Sequence, residues 1–250
     1  MRFLDTVMGI PMSIDIRDAG DHHADAAEAF AILHEADAVF SPYRKDSELS
    51  RLNRSELTLE TVGALFTEVH TLALRFEAVS GGVFTQQTAS GEWDLNGIVK
   101  GWAAQRAADK LRTAGLANFC LNAGGDVITA GLIEPGKPWH VGIRSPQSAQ
   151  HMMAVLALSD MAVATSATYE RGEHIINGAT GRPARGFSSV SVIAADLTTA
   201  DVLATTVFAM GSDGPRWAAE RYDCSILAQT ENGTFIDAGE LRRWLAPATG

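Results

Sequence analysis

Hydrophobic positions recur at helical spacing in two early stretches of the chain. Over residues 21–40, Ala26, Phe30, Leu33, Ala36 and Phe40 fall at three- and four-residue steps. They lay one apolar stripe along a helix that Pro42 ends. Over residues 61–79, Val62, Leu65, Phe66, Val69, Leu72, Ala73, Phe76 and Val79 mark a second buried face, and Gly81-Gly82 stops that helix. Residues 7–16 alternate partly and predict a first strand, with Pro11 near its start. Between the two helices lie a polar loop over 41–47 and a short amphipathic turn over 47–53. Residues 84–93 form a polar connection to an alanine-rich run over 99–114, closed by Gly115, which predicts a third long helix. The pattern then switches to short apolar runs, at 118–122, 127–130, 139–143, 154–158 and 162–165. Val190, Val192 and Ala194 alternate as one more strand. Residues 196–210 return to helix, with Thr198 or Thr199 as the cap. A helix near 215–221, a strand at 224–228 and a tail to Trp244 complete the reading.

Helices come early, strands cluster in the middle, and strict strand–helix alternation is absent. That order predicts an α+β fold with a mostly antiparallel sheet. No internal repeat, low-complexity tract or linker interrupts it, so residues 1–250 are read as one domain.

Composition narrows the function classes. The formal net charge of −10 speaks against a nucleic-acid surface. No apolar run reaches membrane-spanning length, so no membrane partner is expected. Residues 1–8 lack the long apolar core and small-residue cleavage site of a signal peptide, which makes a cytoplasmic location the expectation. Cys120 and Cys224 each sit in an apolar run and read as buried strand thiols rather than a disulfide or metal pair.

The stretch Asp94-Leu-Asn-Gly-Ile-Val-Lys100 places an acid and a base six residues apart across a Gly-containing turn that opens the alanine-rich helix. Free amides and the positive end of the helix dipole suit a phosphate there. Asp94 can accept hydrogen bonds or hold a cation, and Lys100 can neutralise phosphate oxygens. The same pattern also describes a plain helix N-terminus capped by Asp94. Asp201 and Thr205 lie four apart on a predicted helix, so their oxygens share a face. A carboxylate and a hydroxyl suit Mg²⁺ or Ca²⁺ better than zinc, although a helix-start Asp with a buried Thr would look the same. His174 follows a polar stretch and can take a proton near neutral pH, or it can be a strand-edge His with a satisfied hydrogen bond.

Five motifs stand in order: the Asp94–Lys100 stretch, Asn122-Ala-Gly-Gly-Asp126, Ala164-Thr165-Ser166, His174-Ile-Ile with Thr180-Gly-Arg-Pro183, and Asp201-Val-Leu-Ala-Thr205. In this order and at these spacings the chain resembles the FAD:protein FMN transferase family, the ApbE-type flavin transferases. The resemblance runs from Met8-Gly9 to about Gly211. It implies one domain with FAD, the substrate, in a central cleft, and Mg²⁺ held by the Gly97 carbonyl, Asp201 and Thr205. It implies that His174 activates an acceptor threonine. Asn122, Gly124 and Gly125 would line the FAD site, with Thr165 on the cleft wall. Tyr43, in the loop Ser41-Pro-Tyr-Arg-Lys-Asp-Ser47, would contact FAD, and Met8 would sit at the flavin pocket. The partner would be an acceptor protein carrying an Asp-…-Ser/Thr-Gly-Ala-Thr-like segment, a pattern this chain itself lacks.

The chain departs from the family in three places. Asn177-Gly178-Ala179 stands where the family commonly has Asp, Pro and a basic residue. Phe84-Thr85 stands where Phe-Asp is frequent, and the connection from 84 to 94 is short. Two further functions therefore stay open: a Mg²⁺-dependent FAD pyrophosphatase giving FMN and AMP, and a non-catalytic flavin-binding protein.

Overall fold

The first apolar stretch folds as a hairpin, not as the single strand expected. In the computed structural model, which describes residues 1–168 and 175–247 apart from the side chain of Ala149, strand β1 (Arg2–Val7) pairs antiparallel with β2 (Ile10–Ile16). Met8 and Gly9 turn the chain with φ of 54° and 73°. β1 is an edge strand whose Leu4 is exposed, so it carries little of the apolar alternation by which a strand is recognised.

Helices α1 (His23–Phe40), α2 (Glu48–Asn53) and α3 (Ala64–Val79) follow. The α1 stripe is buried as its spacing predicts. On α3 the buried residues are Phe66, Val69 and Ala73, while Val79, expected on the buried face, is exposed at the helix end. Helix α4 (Asn96–Thr113) begins three residues before the predicted start, so the Gly97–Lys100 turn is itself helical. Strands β3 (Phe119–Ala123), β4 (Asp126–Ala130), β5 (Trp139–Ser145), β6 (Ser148–Leu158) and β7 (Ala162–Ala167) come next. Two-residue strands β8 (Ile176–Asn177) and β9 (Arg182–Pro183) precede β10 (Phe187–Ala194). Helix α5 (Leu197–Met210) is capped by Asp196, whose side chain accepts the Thr199 amide, rather than by either threonine. Helix α6 (Gly214–Arg221), β11 (Cys224–Thr230) and β12 (Phe235–Ala238) end the ordered pattern. The last strand lies in the stretch expected as tail, because its side chains alternate only between exposed and half-buried.

Eight strands form one sheet in the order β1-β2-β3-β4-β7-β10-β11-β12, with every pairing antiparallel. The α+β class with a mostly antiparallel sheet and packed helices therefore holds. Alternating side chains on the central strands serve two layers. Ala162, Ala164, Val190, Val192, Ile226 and Ala228 join the large core that includes α1, α4 and α5. Val127, Val163, Ile193 and Leu227 face the other way, into a second core closed by the β5–β6 ribbon and Leu241. Of the two thiols, Cys224 is buried and Cys120 only partly so, and both are free. Among the described residues no helix is long and apolar enough to cross a membrane.

Candidate functional site

Helices α4 and α5 cross at unusually small residues. A Cβ on Gly101 would stand 2.6 Å from the Asp201 Cβ and 2.6 Å from the Leu197 carbonyl, so only glycine fits the contact. At this contact the Gly101 amide donates to Asp201 Oδ2 at 2.8 Å. An α-helix assigns the amide of residue 101 to the carbonyl of residue 97, so Asp201 engages the helix at the level of the Gly97 carbonyl. One turn further along α5, the Thr205 methyl lies 3.5 Å from where a Gly97 Cβ would be, and Thr205 Oγ1 is 3.2 Å from Ser166 Oγ on β7. The Gly97 backbone, Asp201 and Thr205 thus come together although more than 100 positions separate the first from the second.

A charged cluster adjoins this contact. The β3–β4 hairpin turns through Gly124 and Gly125, both at positive φ (67° and 110°), which the tight turn requires. Asn122 Oδ1 accepts the Gly125 amide at 2.8 Å and fixes the turn. The turn delivers Asp126 into the interior, where 1% of its side chain is exposed. Asp126 Oδ1 accepts the Thr165 amide at 3.0 Å, while Oδ2 lies 2.7 Å from Lys100 Nζ. The latter contact is an ion pair by distance only, because Oδ2 receives no hydrogen bond of good geometry. Lys100 Nζ is also 4.0 Å from Asp201 Oδ1.

A cavity of about 920 Å³ opens over these groups. Of the residues the sequence offered for FAD or the cation, it is lined by Met8, Tyr43, Asp94, Gly97, Lys100, Asn122, Gly124, Gly125, Thr165, Asp201 and Thr205. Tyr43 projects at 85% exposure, and Asp94 Oδ1 accepts the Asn96 amide at 2.9 Å, tying the first turn of α4. His174 lies outside the described residues; Ile175 and Ile176, which follow it, line the cavity. A further wall comes from Arg2, Cys120, His140 and Arg144, none of which the sequence pointed to as site residues. Burial and the nearby Asp15 carboxylate push the Cys120 thiol up to about 12, so it stays protonated. Ser166, in the Ala164-Thr165-Ser166 stretch, lines the cavity too, and Asp126, which closes the Asn122–Asp126 motif, has a role that the motif alone does not give: the ion pair with Lys100. An acid opening the apolar run Val127-Ile-Thr-Ala was the available signal for Asp126, since a buried carboxylate needs a partner.

Two of the positions that depart from the family pattern touch each other. A Cβ on Gly178 would meet the Gly82 carbonyl at 2.4 Å and the Thr85 methyl at 2.6 Å. The Gly178 amide donates to the Val83 carbonyl at 2.9 Å. Asn177 donates from Nδ2 to the Ala209 carbonyl at 3.0 Å and accepts the Thr180 amide at 3.1 Å through Oδ1.

Among the described residues no three His, Cys, Asp or Glu side chains group as a metal site. The donors at hand beside the Gly97 backbone, the Asp201 carboxylate and the Thr205 hydroxyl, are hard oxygens, which suit Mg²⁺ better than zinc.

A model described as the ApbE family matches residues 8–90 and 85–228. The chain is 28% identical over 262 residues to a FAD:protein FMN transferase of Vibrio cholerae serotype O1, covering 81% of this chain and 78% of that protein. It is 27% identical over 272 residues to a FAD:protein FMN transferase of Haemophilus influenzae, covering 82% and 79%. The flavin transferase ApbE from Vibrio cholerae superposes with a TM-score of 0.83 at 24% identity, over 98% of this chain and 99% of that one. The ApbE protein from Thermotoga maritima superposes with a TM-score of 0.84 at 22% identity, over 99% of each.

Proposed function

The chain belongs to the ApbE family, and on that premise we propose that it is a Mg²⁺-dependent FAD:protein FMN transferase. The observation that carries this reading is the meeting of Asp201, Thr205 and the Gly97 backbone beside the Lys100 ammonium, in a cavity of about 920 Å³. That volume is at the upper end of the roughly 300–1,000 Å³ usual for small-molecule sites, which suits a ligand as long as a dinucleotide. The relatives' shared name, FAD:protein FMN transferase, supplies the substrates.

Asp201 Oδ1, Thr205 Oγ1 and the Gly97 carbonyl would hold the cation. When bound, Mg²⁺ would neutralise pyrophosphate oxygens and make the phosphorus more electrophilic. Lys100 would supply a second positive charge against the same group. Asn122 and the Gly124-Gly125 turn allow close backbone approach, and Tyr43 offers a ring face for stacking. Met8, Asp94 and Thr165 would complete the walls. His174 would accept the proton of a threonine hydroxyl on the acceptor protein. The threonine oxygen bonds to the phosphorus on the FMN side, the bond to the bridging oxygen breaks, and AMP leaves. Catalysis of this kind is positioning and charge stabilisation.

The test incubates the protein with FAD, Mg²⁺ and acceptor domains bearing the Asp-…-Ser/Thr-Gly-Ala-Thr-like segment. A flavin adduct on the acceptor threonine, found by mass spectrometry, is the expected result. No adduct across several acceptors overturns the reading. Release of FMN and AMP without acceptor, as fast as transfer, would make the protein a pyrophosphatase instead. Bound FAD with no AMP released under any condition would make it a flavin carrier.

A further inference from the structure

Two guanidinium groups on the cavity wall stand outside the ion pairs of the described residues. Arg2 on β1 and Arg144 on β5 are exposed and line the cavity. Among the described residues neither is in an ion pair or a side-chain hydrogen bond. Asp15, the acid across the strand from Arg2, is taken by Arg17 at 2.8 Å. In a chain of net charge −10, two such cations on one cavity mark a local reversal of sign. Each has a large exposed apolar neighbour. Leu4, 71% exposed, lies two residues from Arg2 on the same face of β1, and Met152, 56% exposed, is the cross-strand partner of Arg144. Arginine and methionine are enriched where proteins meet, and exposed apolar area beside them marks a binding surface.

FAD leaves the charge on this wall unanswered. Its one ionised group at neutral pH is the pyrophosphate, which the reading above places at Lys100 and the cation. The sheet register puts Arg2 three strands across and three residues along from Asp126, an ion-pair partner of Lys100. At about 4.8 Å per strand and 3.4 Å per residue the two backbones are roughly 18 Å apart, beyond the reach of an arginine side chain. The flavin, ribityl, ribose and adenine groups are uncharged. The counterion of Arg2 therefore comes from another molecule. We propose that this wall is where the acceptor protein docks, as an acidic extended segment whose carboxylates pair with Arg2 and Arg144 and whose apolar side chains cover Leu4 and Met152. This rests on the reading that the protein transfers FMN to another protein.

The experiment uses the full chain and a fluorescently labelled acceptor domain bearing the Asp-…-Ser/Thr-Gly-Ala-Thr-like segment, its acceptor threonine replaced by valine so that no transfer occurs. Acceptor affinity is read by anisotropy, FAD affinity by flavin fluorescence, and folding by thermal unfolding. Arg2→Gln with Arg144→Gln should weaken acceptor binding about tenfold or more, with FAD affinity held within about twofold. Added salt should weaken native acceptor binding, and the double variant should respond less. Met152→Ser should cost about threefold as covered apolar area is lost. Unchanged acceptor affinity in the double variant overturns the proposal. So does a loss of FAD affinity as large as the loss for the acceptor, which would make the wall part of the FAD site. A dimer in sedimentation that the double variant breaks, with acceptor affinity held, would give the wall to a second copy of the chain and overturns it too. Should the double variant fail to fold, Arg144→Gln alone carries the test: about threefold weaker binding supports the proposal, and unchanged binding overturns it. Native protein that binds the valine domain but never modifies the threonine one loses the transferase reading and keeps the docking surface. Native protein that modifies the threonine domain with no effect of either arginine keeps the reading and loses the surface.

Discussion

At one end of the cavity, Lys100, Asp126 and Asp201 bring charge together from two helices and a strand, the two carboxylates almost fully buried and the ammonium partly so. Behind another wall, which Thr85 lines, Thr85, Asn177 and Gly178 meet as neutral groups held by turn hydrogen bonds and close backbone contact. The charged end is held by ion pairs and the turn wall by backbone contacts. The contrast follows from how each is built. A buried charge that loses its partner costs several kcal/mol, so the three charges constrain one another. A turn wall is satisfied by any set of neighbours that fill the space and pair the amides, so Thr85 and Gly178 fit as a pair in direct contact.

The comparison can be broken at its charged end first. Asp201→Asn keeps an acceptor for the Gly101 amide but removes the charge. Metal-dependent FMN transfer should fall at least about a hundredfold, the rate equivalent of ~2.7 kcal/mol, with the fold retained. Full Mg²⁺-dependent turnover in the folded variant would show that the cation lies elsewhere, with Asp94 and Lys100 the next residues to probe. The turn wall should respond in stability instead. Gly178→Ala pushes a methyl against the Gly82 carbonyl and Thr85, and should cost about 1–3 kcal/mol by denaturant titration. Its KM for FAD should rise more than its kcat falls; a loss confined to kcat would place this wall in the chemistry.

Thr205→Val tests the gradation within the charged end. The shape stays while one oxygen donor goes, and water can replace it as a ligand. Activity should drop about tenfold, with roughly 1 kcal/mol of stability lost as Ser166 Oγ gives up its partner. A loss as large as that of Asp201→Asn would make the hydroxyl an equal partner. The smallest effect concerns the thiols, which belong to neither region. Burial raises Cys120 to about 12 and Cys224 to about 11, against an ordinary 9.0. In the unfolded chain they ionise first, so their contribution is complete below pH 9 and is lost as pH rises above it. At pH 8 the native thiols should react with a disulfide reagent far more slowly than in denaturant. Fast labelling of Cys120 would show that its cavity wall opens.

Much of the architecture was legible because periodicity reports burial. The α1 stripe and the runs that became β4, β7 and β10 lie where their patterns put them. The losses occurred where burial and pattern part company. β1 exposes Leu4 and β12 buries nothing fully, so neither alternation stood out. α4 starts earlier than its pattern shows because Gly97 reads as a turn residue, whereas its lack of a side chain serves the contact with Phe84 and Thr205. At the site, spacing along one helix pairs Asp201 with Thr205. No spacing reveals that Asp126 reaches Lys100, because that contact depends on how the β3–β4 turn lies against α4.

The hydrogen bond from Gly101 to Asp201 joins residues 100 positions apart. A ribosome adds about 5–20 residues per second, so roughly 5–20 s separate the synthesis of its two halves. During that interval α4 can form and Asp126 is made, but the carboxylate and hydroxyl of α5 do not yet exist. A nascent chain therefore carries Lys100 and Asp126 before either of the α5 side chains beside them is made. Contacts of such long sequence separation also form slowly once the chain is free, since loop closure must precede them. Asp201 and Thr205 come up against α4 late in the protein's biogenesis, after Lys100 and Asp126 have both been made.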